Sequence, residues 1–287
     1  MQPGEGRCNT FLQSKKPYLT RETLVLLLLI IVSSCGKQLP STEKSKVAGE
    51  PVSATISITK EQELFKPFIL AIQPHTTIIW QNSDKVAHRV TTTPQKQSYL
   101  NPQSFTLSIG ANKSGTLKLD TPGIYHYYEP EKASWQEHFS RAVANKGEMA
   151  YPLAMDGVIW VQGTIAGLPD AALNEIRAGH DEFEEEFLAI RAPGSVAWHN
   201  FDEDPHFIGE VPNWEAPINP NDIGIYRLAG TADVRGGQTI SIAFNTPGLY
   251  YYYCRNHDHI NEENMRTQAL KKASEYPMPM EGFVLVV

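Results

Sequence analysis

The sequence predicts an all-β chain built as two tandem β-sandwiches. Short runs of β-branched and aromatic residues are bounded by Pro-Gly and Asn/Asp turns, the punctuation of strands. Twenty glycines and twenty prolines supply many such turns. One strand pattern also occurs twice at steady spacing, as in a duplicated unit. With 287 residues, 41% of them hydrophobic, each half can bury a core of its own. The period-2 runs lead us to expect small antiparallel sandwiches.

Residues 1–34 read as a signal peptide. A basic segment precedes Leu24–Val32, an apolar run far short of the roughly 20 residues a spanning helix needs. Small residues Ser33 and Ser34 then precede Cys35 and Gly36. This resembles a bacterial lipoprotein processing site, which would make Cys35 the first mature residue and its lipidation site. Acyl chains there would tether the protein to a membrane. Residues 35–51 are polar, without apolar period, and read as a flexible tether. Cys8 falls in the leader, and no pair among Cys8, Cys35 and Cys254 reads as a structural disulfide.

The repeat sets the domain plan: residues 52–163, a linker over 164–180, and residues 181–287. Trp80 and Trp198 end matching strands and stand 118 residues apart, as do His88 and His206. Later the offset becomes 125: Pro122-Gly-Ile-Tyr125 matches Pro247-Gly-Leu-Tyr250, and Met155-Asp-Gly157 matches Met280-Glu-Gly282. Each copy is expected to carry a helix in the loop before its last strand. In the first, Ser134-x-x-Glu137 has the form of a capping box and Gly147 of a stop; in the second, Asn261 would cap and Pro277 would end it. A further short helix is expected over Pro169–Ala178.

Chemistry concentrates in the second copy. Cys254 ends a tyrosine-rich strand, His257 follows in the next loop, His206 follows the Trp198 strand, and Met280 opens the last strand. A thiolate, two imidazoles and a long thioether contact suit a redox-active copper ion. With Trp198 and His206, the run from Pro247 through Cys254-x-x-His257 and the Met280-x-Gly282 ending resemble the cupredoxin family of plastocyanin and azurin type. The resemblance covers both halves. It implies Greek-key sandwiches and one type 1 copper, with His206, Cys254 and His257 as equatorial ligands and Met280 as the axial one. The loop from His257 to Met280 is longer than in plastocyanins. Met278 competes for the axial place, and His259 competes with His257.

Strand alternation puts Tyr250, Tyr252 and Cys254 on the inner face and Tyr251 and Tyr253 outward. Tyr253, beside the ligand, could pass an electron in, or could be an ordinary solvent-facing tyrosine. His199, His180 and the acidic run Asp181–Glu186 read as structural or solvated groups. The first copy carries Glu129 in place of the cysteine and Lys132 in place of the second histidine, keeping His88 and Met155. It reads as a structural domain, with a harder site of Glu129, His88 and His126 or His138 as the sharper alternative.

A formal charge of -7 argues against a nucleic-acid partner. Cys254 is flanked by Tyr253 and Arg255, so the histidine that wires a blue site to a second copper centre in oxidases and nitrite reductases is missing. No enzyme motif stands out. The expected function is therefore an exported single-electron carrier, not an enzyme. It would be anchored by its lipid at the outer face of the bacterial cytoplasmic membrane or in the periplasm, and would serve a redox protein donor and acceptor. The alternative is a lipoprotein that binds or handles copper without electron transfer.

Overall fold

The computed structural model describes residues 52–287 apart from 61, 169–173, 212–224, 227–231 and 235. The expected signal peptide, Cys35 and the tether lie outside the described residues, as does the stretch 169–173. The first half carries β1 (Ser53–Ile58), β2 (Phe65–Lys66), β3 (Ile69–Ile72), β4 (Thr77–Asn82), β5 (His88–Thr92), β6 (Thr106–Ile109), β7 (Ser114–Lys118), β8 (Gly123–Tyr128), β9 (Ala133–Gln136), β10 (Arg141–Ala144) and β11 (Asp156–Val161). The second carries β12 (Glu175–Gly179), β13 (Glu182–Phe183), β14 (Phe187–Ile190), β15 (Gly194–Asn200), β16 (His206–Glu210), β17 (Ile225–Tyr226), β18 (Ala232–Val234), β19 (Thr239–Phe244), β20 (Gly248–Cys254), β21 (Asp258–Asn261), β22 (Arg266–Ala269) and β23 (Glu281–Val286).

These strands form two sandwiches of like order. Sheet β2-β1-β4-β7 faces β3-β11-β8-β5-β6, and sheet β13-β12-β15-β19 faces β14-β23-β20-β16-β18, with β17 also pairing β20. The sheets are mixed, where antiparallel ones were expected. β1 runs parallel to β4, β3 to β11, β12 to β15 and β14 to β23. Parallel pairs need long crossovers, and strand period does not report direction.

No helix occurs among the described residues, so the expected loop helices are corrected to β-hairpins, β9 with β10 and β21 with β22. The residues read as caps make turn and cross-strand bonds instead. The Ser134 hydroxyl donates to the Asn145 side chain across the hairpin at 2.5 Å. Asn261 Oδ1 accepts the Asn264 N–H at 3.1 Å, and Met265 closes the turn at φ 50. The expected Pro169–Ala178 helix is also corrected where it is described. Glu175–Gly179 is β12, with Ile176 and Ala178 fully buried and Glu175 and Arg177 exposed, a period of two. The first strand of the second sandwich thus lies inside the stretch read as linker.

Each sandwich has its own core. Trp80 and Tyr127 meet edge to face at 5.8 Å in the first, and Trp198 and Tyr252 at 5.3 Å in the second. A third apolar cluster is shared between the halves. It joins Phe68, Tyr99, Ile124 and Trp160 to Phe187, Leu249, Tyr251, Tyr253, Phe283 and Leu285. Phe283 stacks on Tyr251 at 4.5 Å and on Phe187 at 4.9 Å.

Candidate metal centre

β20 is buried along its whole length, and alternation divides it between two cores. Tyr250, Tyr252 and Cys254 enter the second sandwich, while Leu249, Tyr251 and Tyr253 enter the shared cluster. Cys254 therefore ends its strand pointing inward. Ile208 on β16 is paired opposite it, which brings His206 to the same end of the sheet. A tight turn follows, closed by the His257 N–H donating to the Cys254 carbonyl at 3.1 Å. That i to i+3 bond is what the Cys-x-x-His spacing encodes, because it folds the imidazole back over the thiol. The Cys254 N–H donates to the Met280 carbonyl at 2.9 Å, which seats Met280 beside the strand end. Met280 is fully buried in the cluster that holds Cys254.

His206 Nδ1 lies 3.9 Å from Cys254 Sγ, and His257 Nδ1 lies 3.4 Å from it. The ring centroids are 5.0 Å apart. The three ligand atoms lie within 4.8 Å of one another, and among the described residues no other such set of three His, Cys, Asp or Glu converges. On the far side of each ring stands a carboxylate. His206 Nε2 is 3.0 Å from both Asp202 oxygens, and His257 Nε2 is 2.9 Å from Asp181 Oδ1.

The surroundings are dry. Cys254 and His206 are fully buried, and the His257 side chain is 12% exposed. Burial pushes the Cys254 thiol up to about 11, although the Phe207 N–H donates to its sulfur at 3.1 Å and pulls the other way. Burial likewise lowers His257, opposed by the Asp181 charge. Burial thus favours the protonated thiol at Cys254.

Solved amicyanin structures resemble part of this chain. An oxidised amicyanin variant matches at 18% identity and a TM-score of 0.26, over 42% of this chain and 88% of its own. A reduced variant matches at 20% and 0.25, and a reduced Cu(I) form of another at 19% and 0.26, with the same coverage. No family model matches the chain. No curated protein matches it either.

The competing residues fall elsewhere. Met278 is buried against a small cavity lined by Arg141, Arg266 and Glu281. His259 is exposed on β21, and His199, on β15, lies against Phe201 at 4.1 Å. Tyr253 does point away from its own sandwich, yet it is only 8% exposed, so of its two readings the solvent-facing tyrosine is corrected. It belongs to the apolar cluster shared between the halves.

The first half repeats the frame without the thiol. Glu129 N–H donates to the Met155 carbonyl, and Lys132 N–H to the Glu129 carbonyl, in the places of the Cys254 and His257 bonds. His88 Nδ1 lies 3.8 Å from Glu129 Oε2. His126 faces the other half, 3.7 Å from Glu186 and 5.1 Å from the Phe187 ring, and His138 is exposed, so neither joins them. Sequence reasoning missed Asp181 and Asp202. The Asp202-x-x-x-His206 spacing was visible, but Asp181 was masked as the first residue of an acidic run.

Proposed function

We propose that this chain is a membrane-tethered type 1 copper protein that passes single electrons between redox proteins outside the cytoplasm. The convergence of His206 Nδ1, Cys254 Sγ and His257 Nδ1, with Met280 buried in the same cluster, carries this reading. The donor set suits copper because a thiolate with two imidazoles is soft and polarizable. His206, Cys254 and His257 would hold the ion, with Met280 as the weaker fourth partner. Copper bound there supplies a one-electron couple.

The protein's own part is to orient, to desolvate and to release a proton. Cys254 Sγ must give up its proton on binding, since the thiolate is the ligand. The Phe207 N–H is already aimed at that sulfur and would stabilise the resulting charge. His257 is the site residue nearest solvent, at the floor of a hollow lined by Asp181, Asp204, Arg255 and Lys272. A partner would approach there, because Tyr253 is covered. Cys35 lipidation after removal of residues 1–34 supplies the membrane attachment in this reading.

The test is the visible spectrum of the full chain after copper loading and oxidation, beside Cys254→Ser. An intense orange-red band that the variant loses is the expected result. A colourless chain that still binds copper would shift the reading to copper handling without electron transfer.

A further inference from the structure

A single two-residue turn stands behind both imidazoles of the site. β12 and β13 are joined at His180 and Asp181, whose φ angles of 53 and 56 are both left-handed, the mark of a tight two-residue hairpin turn. That geometry aims the Asp181 carboxylate at the metal centre. Its Oδ1 sits 2.9 Å from His257 Nε2, and its Oδ2 accepts the Ser274 N–H at 2.7 Å. The neighbouring His180 N–H donates to Asp202 Oδ2 at 2.8 Å. Asp202, held also by the Asp204 N–H at 3.0 Å, lies against His206 Nε2. One ring is thus held by the side chain of the turn, and the other through its backbone.

An ionised carboxylate only accepts hydrogen bonds. Each imidazole facing one must carry its hydrogen on Nε2, which leaves the Nδ1 lone pair aimed at Cys254 Sγ. Carboxylates behind metal-binding histidines set tautomer and ring angle in this way. The first half has acids at the corresponding places although its cysteine is absent. Asp84 lies 3.5 Å from His88, and Glu63, in the β1–β2 loop, pairs with Lys132 at 3.1 Å. The placement of these acids therefore belongs to the frame of both halves.

We propose that the His180–Asp181 turn sets both imidazoles in the Nε2–H tautomer with Nδ1 toward Cys254 before any metal arrives. Asp181 acts directly on His257, and Asp202, held by the turn, acts on His206. Both are positioning residues. Their service to a copper ion rests on the function proposed above, whereas the ring orientation is testable without metal.

The experiment uses the full chain, metal-free and then copper-loaded, as native protein and as Asp181→Ala, Asp181→Asn and Asp202→Ala. In the metal-free native chain, imidazole 15N spectra should show both rings as the Nε2–H tautomer. Asp181→Ala should scramble His257 alone and Asp202→Ala His206 alone, while Asp181→Asn, which still offers an oxygen, keeps the native tautomer. After loading, both alanine variants should lose copper to a chelator about tenfold faster or more. A native tautomer pattern and native copper retention in Asp181→Ala and Asp202→Ala would overturn the proposal. So would a native chain whose rings are mixed tautomers. Ordered rings that scramble as expected, in a chain with no thiolate–copper band, would uphold the positioning and sink the copper reading. Asp181→Asn separates lost orientation from lost folding.

Discussion

Gly282 sits where any side chain would strike the tip of Tyr252, and Gly157 meets Tyr127 in the same way. The Met-x-Gly motif is therefore two demands at adjacent points of one edge. The methionine fills the core beside the strand end, and the glycine admits the tyrosine ring that packs on the core tryptophan. Gly282→Ala should destabilise the protein by about 1–3 kcal/mol through overpacking. Denaturant unfolding would show this as a lower midpoint with an unchanged slope. The tyrosine that follows each Pro-Gly turn has an equally local reason. Tyr250 Oη donates to the Thr246 carbonyl at 2.9 Å and Tyr125 Oη to that of Thr121 at 2.9 Å, so Thr-Pro-Gly-x-Tyr is a self-bonded corner. Glu129 stands where the second half has Cys254. Burial pushes its carboxyl from 4.5 up to about 7, against the Arg89 N–H that donates to it. Its folded value lies above its unfolded value, so folding takes up a proton. Stability from this group is full below pH 4.5 and is lost as pH rises to about 7. Glu129→Gln should accordingly lose less stability than the native chain between pH 5 and 8, which parallel thermal melts at each pH would check. Equal losses in the two proteins would refute that value.

The hairpins in the late loops bind each half to the other. Arg141 on β10 donates to the Phe183 and Glu281 carbonyls of the second half at 2.9 and 2.8 Å and lies 3.3 Å from Glu186. Arg266 on β22 returns the contact. It donates to the Ala154 carbonyl at 2.9 Å and to Asp156 at 2.8 Å in the first half, with its guanidinium 4.0 Å from the Phe68 ring. Asp156 also meets His126, which burial alone would depress but the Glu186 and Asp156 carboxylates hold up. Removing one partner from such a buried set leaves the other charges uncompensated. Arg266→Ala should cost about 3–5 kcal/mol in thermal or denaturant unfolding. A loss within 1 kcal/mol would mean that Asp156 is satisfied without it. This exchange also explains why a helix was the wrong expectation. Ser134, Glu137 and Asn261 are cap residues and turn residues alike, and the deciding fact is where Arg141 and Arg266 must reach. That destination lies in the other half of the chain, beyond any local window. The candidate site was more legible. The convergence of His206, Cys254 and His257 could be anticipated because strand ends and a three-residue spacing are local features. Asp181 could not, because its role comes from a left-handed turn and from a histidine 76 residues away.

At the scale of the whole molecule, the alternation in β20 was read rightly, but what covers its outer face was not. Period two assigns residues to faces and is silent on whether the second face meets water or another domain. Here Leu249, Tyr251, Tyr253, Phe283 and Leu285 meet Phe68, Tyr99 and Trp160. Tyr251 is fully enclosed, bonded to Glu281 and to Thr267, the latter at 2.7 Å. A half without its partner would present these aromatics as one contiguous apolar patch, with Arg266 stripped of Asp156. Patches of that kind drive association. The second half alone, residues 174–287, should therefore aggregate or bind a hydrophobic dye strongly, despite containing His206, Cys254, His257 and Met280. Expressed together, the two halves should form a soluble complex that elutes as the intact chain does. A soluble, monomeric second half with native near-ultraviolet dichroism would defeat this expectation and show that the second sandwich folds without the first. The first half, which lacks the thiol, is on this account the wall that keeps the strand behind Cys254 dry, and its contribution should be measurable as solubility before any copper is added.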